Sequence, residues 1–144
     1  MFRVERVVLI DDNELDNVFH DWALRKAGFE GEIIVFDSGE AAVDGFSMAD
    51  LSRRTVIFLD INMPGMDGFA VAEKLAPILA NHPNVTIVML TSSEAREDRA
   101  RAKSIEVIRG YVPKPLAEAV VLKLFAAIDW GQTPPHFDLG EYQL

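Results

Sequence analysis

The sequence has no cysteine, which excludes a disulfide framework and a thiolate zinc site and agrees with a reducing cytoplasm. Its three histidines, His20, His82 and His136, are too widely spread to form a local metal motif. Positive charge is scarce: 14 Lys and Arg face 23 Asp and Glu, a net charge of −9. That balance opposes the phosphate-backbone attraction on which sequence-independent nucleic-acid binding depends. Long apolar runs are also missing. VIFL, TIVML and AVVLKLFAAI fall far short of the roughly 20 residues that span a bilayer. The opening MFRVERVVLIDDNE is broken by charge, unlike the apolar stretch of a signal peptide. These shortages point to a cytoplasmic protein with no membrane insertion and no direct nucleic-acid contact.

What is present is enough for one core: 144 residues, 49% of them hydrophobic. Short β-branched runs alternate with longer amphipathic stretches, the pattern of a parallel sheet covered by helices on both faces. The expected strands are 6–10, 32–36, 55–60, 86–90 and 110–112. The expected helices lie near 15–27, 39–47, 69–81, 94–104 and 116–130. Leu15, Val18, Phe19, Trp22 and Ala23 recur at helical spacing and are expected to form the buried stripe of the first helix. After Trp130 the chain loses periodicity and contains a Pro pair, so residues 131–144 are expected to be a tail without an output domain.

In an open α/β sheet, ligands gather beyond the carboxyl ends of the strands. Here strand one ends in Asp11 and Asp12, strand three in Asp60 and strand four in Thr91, while strand five runs into Lys114. Two like charges ~4 Å apart repel by about 4 kcal/mol at an effective dielectric near 20, so clustered carboxylates need a cation. Mg²⁺ suits an all-oxygen donor set. Asp12 and Asp60 would be direct ligands with the Asn62 backbone carbonyl, and Asp11 would act through a metal-bound water. A carboxylate is also a nucleophile that forms an acyl phosphate. Asp60 is best placed for that attack, with Lys114 and the Thr91 hydroxyl each serving one phosphoryl oxygen.

Each residue alone has an ordinary explanation. Asp12 or Asn13 could cap the first helix, Pro64 and Gly65 could simply turn the chain, and Asp67 could cap the third helix. Thr91 and Ser92 could be helix-entry residues. For Pro64, Gly65 and Asp67 the turn and cap reading is preferred; for the others, the order of five polar groups at the ends of strands one, three, four and five carries the chemical reading.

The blocks VVLIDDNE, FLDINMPGMDG, LTSS and GYVPKP resemble, in order, those of bacterial response-regulator receiver domains, over about residues 6 to 129. The resemblance implies a flavodoxin-like, doubly wound five-stranded parallel sheet of order 2-1-3-4-5 flanked by five helices, filling residues 1–130. It implies a phosphoacceptor at Asp60, metal binding at Asp11, Asp12, Asp60 and Asn62, switch residues at Thr91 and Tyr111, and an active-site lysine at Lys114. Tyr111 reads equally well as a core aromatic. A cis Lys114–Pro115 peptide is usual in such relatives.

The implied cofactor is Mg²⁺, and the implied donor is a sensor histidine kinase or a histidine phosphotransfer protein. Such a protein is no enzyme beyond its own phosphorylation and dephosphorylation. Output is expected through helix four, strand five and helix five, toward a second copy or a separate effector. Val120, Val121, Leu124, Phe125 and Ile128 are more apolar residues than one buried stripe needs, so some are expected to be exposed. The sequence departs from the family in lacking a Gly-Ala pair before strand five, where it reads AKSIEVIRGYV.

Two other functions fit some of the same residues. A haloacid-dehalogenase-like Mg²⁺-dependent phosphatase also uses an Asp nucleophile with Lys and Thr or Ser, but its nucleophile lies in a DxD motif after the first strand, which is absent here. A phosphorylation-independent interaction module would retain the fold without the five polar groups.

Overall fold

The computed structural model describes residues 3–128 and 137–138. Five strands, β1 (Arg6–Ile10), β2 (Glu32–Phe36), β3 (Thr55–Leu59), β4 (Val85–Thr91) and β5 (Ile108–Pro113), alternate with five helices. The helices are α1 (Glu14–Lys26), α2 (Gly39–Phe46), α3 (Gly68–Leu79), α4 (Arg96–Ser104) and α5 (Glu118–Ala127). All strands pair in parallel, in the order β2-β1-β3-β4-β5, as the resemblance implies. Phe137–Asp138 add a short β6 beside β5, where the sequence suggested only an aperiodic tail. The other residues of that tail, and Trp130, lie outside the described residues.

The central strands are buried on both faces, so successive side chains feed two separate cores. Val7, Leu9, Val56, Phe58, Val88 and Leu90 point toward the core that also holds Leu24 and Leu124. Val8, Ile10, Ile57, Leu59, Ile87 and Met89 point toward the core shared with Phe69 and Leu75. Because β1 and β3 are neighbours in register, their carboxyl ends bring residues 11 and 60 to the same edge of the sheet. The β4–β5 pairing shifts by one residue, from Ile87↔Ile108 to Val88↔Gly110. This irregularity lies in the segment that lacks the Gly-Ala pair.

Two expectations about apolar faces need correction. Leu15, Val18, Phe19 and Trp22 are not the buried stripe of α1: they are 80%, 62%, 42% and 54% exposed. The face turned inward carries Asn17, His20, Ala23 and Leu24. The Asn13 cap, whose side chain accepts from the Asp16 N–H, starts the helix. The Asn17 amide nitrogen then donates to the Asp11 carbonyl at 2.8 Å, which ties the first turns of the helix to the end of β1, while its buried amide oxygen has no partner among the described residues. The opposite correction applies to α5. Val120, Val121, Leu124 and Phe125, with Ile128 just beyond, are all buried, so that helix has no apolar surplus from this set. A helix closing the far side of the sheet needs the wider stripe for the core itself.

Candidate active site

Asp11 follows β1 and Asp60 follows β3, and both are buried, 4% and 6% exposed. Asp60 is tied to the sheet by its N–H, which donates to the Ile10 carbonyl at 3.0 Å. One Asp11 oxygen accepts from the Asn13 N–H at 2.9 Å. Asp12 is exposed at the mouth, and oxygens of Asp11, Asp12 and Asp60 all lie within 4.8 Å of one another. They line an open cleft of about 510 Å³ together with Asn62, Ser92 and Lys114. Three carboxylates with an exposed amide residue beside them form an oxygen-only donor set that fits a hard divalent cation.

Lys114 enters from the end of β5, its peptide bond to Pro115 being cis. Its Nζ lies 2.7 Å from Asp11 Oδ2, 2.7 Å from Asp16 Oδ2 and 3.6 Å from Asp60 Oδ1. Burial works against the charged ammonium, but the hydrogen bonds to Asp11 and Asp16 and the charges of Asp60 and Asp11 outweigh it. The group is held above the ordinary lysine range. The Asp60 pKa is raised too, but there the neutral form gains: burial, then the Asp11 charge, raise its carboxyl to about 6 against the pull of Lys114. Beneath the cluster His20 is 2% exposed, and burial, followed by the Lys114 charge, lowers its pKa. At neutral pH it adds no second cation.

Thr91 is fully buried at the end of β4, and its carbonyl accepts from the Lys114 N–H at 2.9 Å. Its hydroxyl oxygen accepts from the Ser93 N–H at 3.1 Å. Ser92, rather than Thr91, lines the open cleft. Tyr111 is 1% exposed, and its hydroxyl donates to the Ser93 carbonyl at 3.1 Å, with the Arg99 guanidinium 5.0 Å from its ring centre. Thr91 and Tyr111 therefore meet through one residue, Ser93, whose own hydroxyl donates to Asp98 at the start of α4.

The loop after Asp60 behaves as the turn chemistry suggests. Gly65 has φ +74°, a left-handed conformation that suits glycine, and Asp67 caps α3 by accepting from the Ala70 N–H at 2.9 Å. Gly68 packs against the acceptor itself: a Cβ there would collide with the Asp60 carbonyl oxygen.

Asp11, Asp12, Asp60, Asn62 and Lys114 thus line one cleft, whereas Thr91 is buried beside its lining residue Ser92 and Tyr111 is joined to this region through Ser93. Asp16 is the residue the sequence reasoning missed. Its signal was available, because a helix capped by Asn13 places its third residue beside Asp11 and Asp12.

The response regulator receiver domain model matches residues 7–126. Among curated relatives, PilH of Pseudomonas aeruginosa is 25% identical over 85% of this chain and 96% of its own length. Hybrid signal transduction histidine kinase L of Dictyostelium discoideum is 26% identical over 96% of this chain. The chain spans 16% or less of the length of the first relatives it matches, and 8% of that kinase. A response regulator receiver protein from Dyadobacter fermentans has a crystal structure that superimposes with a TM-score of 0.76. It is 25% identical, and the match covers 84% of this chain and 94% of that one. No helix among the described residues is long and apolar enough to cross a membrane. The fold, the strand-end carboxylates and the family match agree, and the chain belongs to the response regulator receiver domains of two-component signalling.

Proposed function

We propose that Asp60 is the phosphoacceptor and takes a phosphoryl group from a phosphohistidine on a partner kinase or phosphotransfer protein. One observation carries this reading: Asp60 ends a central strand as a buried carboxylate, with Asp11 and Asp12 beside it and Lys114 at 3.6 Å. An Asp60 carboxylate oxygen attacks phosphorus, an acyl O–P bond forms, the N–P bond of the donor breaks, and the imidazole leaves with the electron pair. Asp11, Asp12, Asp60 and the Asn62 carbonyl would hold Mg²⁺, which when bound offsets negative charge on the carboxylates and phosphoryl oxygens. Lys114 steadies one phosphoryl oxygen as a compact cation. Thr91 uses its hydroxyl only as an acceptor in the bond from Ser93, so its proton remains available to a second phosphoryl oxygen.

The chain catalyses nothing beyond loading and losing that group. Movement of Thr91 toward the phosphoryl oxygen pulls on Ser93, and Tyr111 and the start of α4 follow. The output surface is then the α4–β5–α5 face, altered through Ser93 and presented to a second copy or a separate effector.

The donor docks on α1. Its first turn borders the cleft, and Leu15, Val18, Phe19 and Trp22 give it an exposed apolar face leading away from the mouth. Contiguous exposed apolar side chains of this kind mark a protein-binding surface.

Incubation with phosphoramidate and Mg²⁺, followed by phosphate-affinity electrophoresis, tests the acceptor assignment. The wild-type protein gains a retarded band, and Asp60→Asn does not. Equal retardation of both would refute it, once mapping had excluded a neighbouring carboxylate in the variant.

A further inference from the structure

Asp16 stands outside the metal cluster, yet its Oδ2 lies as close to Lys114 Nζ as Asp11 does, 2.7 Å, and closer than Asp60 Oδ1 at 3.6 Å. Its position is built in. Asp16 is the third residue of α1, and its own N–H is the one the Asn13 cap accepts at 3.0 Å. The helix start, rather than a free loop, therefore delivers this carboxylate to the cleft, where the partial positive charge of the N-terminus also favours it.

We propose that Asp16 is a positioning residue that competes with the phosphoryl group for Lys114 and so sets how readily Asp60 is loaded. The proposal rests on Asp60 being the acceptor. An ammonium has three donors, and two of them are occupied by Asp11 and Asp16. In that arrangement Nζ stays 3.6 Å from Asp60, beyond hydrogen-bond length. Phosphorylation puts about 1.5 to 2 negative charges on residue 60, a stronger attraction for the ammonium than one carboxylate. Of the two holding contacts, the one to Asp16 is easier to give up. Its side chain is 37% exposed against 6% for Asp11, so solvent screens that pair more and rehydrates the freed carboxylate. Asp16 thus acts as a spring-back anchor: it holds Lys114 at the rim while Asp60 is bare, and it reclaims the ammonium when the phosphoryl group leaves.

The test compares wild type, Asp16→Asn, Lys114→Ala and the double variant, using phosphoramidate loading, beryllofluoride binding and Mg²⁺ titration. Removing the competitor should speed loading and tighten beryllofluoride binding roughly five-fold, the scale of one partly exposed ion pair. Mg²⁺ affinity should stay within about two-fold, because Asp16 is not a ligand. The gain should vanish when Lys114 is already alanine, a dependence that a merely structural or general charge effect would not show. Asp16→Glu, which keeps the charge, should restore slow loading. Loading of Asp16→Asn at or below the wild-type rate, or the same gain with and without Lys114, would overturn the anchor while leaving the acceptor assignment intact. A wild-type protein that took up no phosphoryl group at all would overturn the acceptor assignment, and the anchor with it.

Discussion

Lys114 Nζ stands 3.6 Å from Asp60 Oδ1 while a hydrogen bond of 2.7 Å ties it to Asp11. The lysine therefore neutralises part of the acidic cluster and is one short movement from any group carried by Asp60. Lys114→Ala removes a cation that competes with a metal for Asp11, so Mg²⁺ affinity should not fall. Loading of Asp60 should drop about 100-fold, the usual cost of losing one charge-stabilising contact to a transferring group. Parallel Mg²⁺ titration and initial-rate labelling check both halves. A loss of Mg²⁺ affinity as large as that of Asp12→Ala would show that the roles are misassigned.

The raised carboxyl of Asp60 has a consequence for stability. In the folded chain it titrates at about 6, against an ordinary value of 3.8, so between these limits the folded state binds more protons than the unfolded state. Stability without divalent cations should therefore fall as pH rises from 4 to 6 and level off above that. Asp60→Asn should remove this slope and stabilise the protein at neutral pH by about 2–3 kcal/mol. Urea melts in a chelator at pH 4.5 and pH 7.5 give the comparison. A variant less stable than wild type at pH 7.5 would contradict the electrostatic account.

Because Val18 and Trp22 are exposed rather than core, their replacement by alanine should change stability by no more than about 0.5 kcal/mol. Transfer from a phosphohistidine donor should fall at least about ten-fold, as for anchors in a protein interface, while loading from phosphoramidate stays the same. Trp22 also touches Phe19, with ring centres 5.6 Å apart, so its fluorescence should change on donor docking in a Trp130→Phe background. Equal losses with both donors would place the defect in the cleft instead.

Gly68→Ala forces a methyl group against the Asp60 carbonyl, and that backbone oxygen has no rotamer through which to yield. The expected cost is about 1–3 kcal/mol of stability, together with slower loading as the acceptor end of β3 shifts. A melt and a labelling time course on one sample test this, and an unperturbed variant would show that the packing is looser than described.

How much of the molecule could be read from its sequence depends on which signals are local. The bounds of β1 and β2 match the periodic reading, and Asp67 caps α3 as its spacing suggested, because strand runs and caps are decided by neighbouring residues. The order of the site residues was legible too, since strand ends converge whatever the helices do. The rotation of α1 was not. Hydrophobic spacing there marks the stripe that is exposed, whereas the inward face includes Asn17 and His20, with Asn17 bonded to Asp11 at the end of β1. The approach of Asp16 to the acidic cluster could be read from the Asn13 cap, but its ion-pair partner could not, because Lys114 lies 98 residues further along the chain. On α5 the error ran the other way, because the number of apolar residues a helix buries depends on the neighbours that cover it.

Transfer from a purified, phosphorylated histidine donor in the presence of Mg²⁺, followed by borohydride reduction and peptide mass mapping, identifies the residue that accepts the phosphoryl group. Reduction converts an aspartyl phosphate to homoserine and so marks the residue that carried the group. Homoserine is expected at position 60 alone, dependent on Mg²⁺ and absent from Asp60→Asn. Homoserine at position 11 or 12 in the wild-type protein, or unmodified Asp60 in protein that has taken the phosphoryl group from its donor, would contradict the assignment of Asp60 as acceptor.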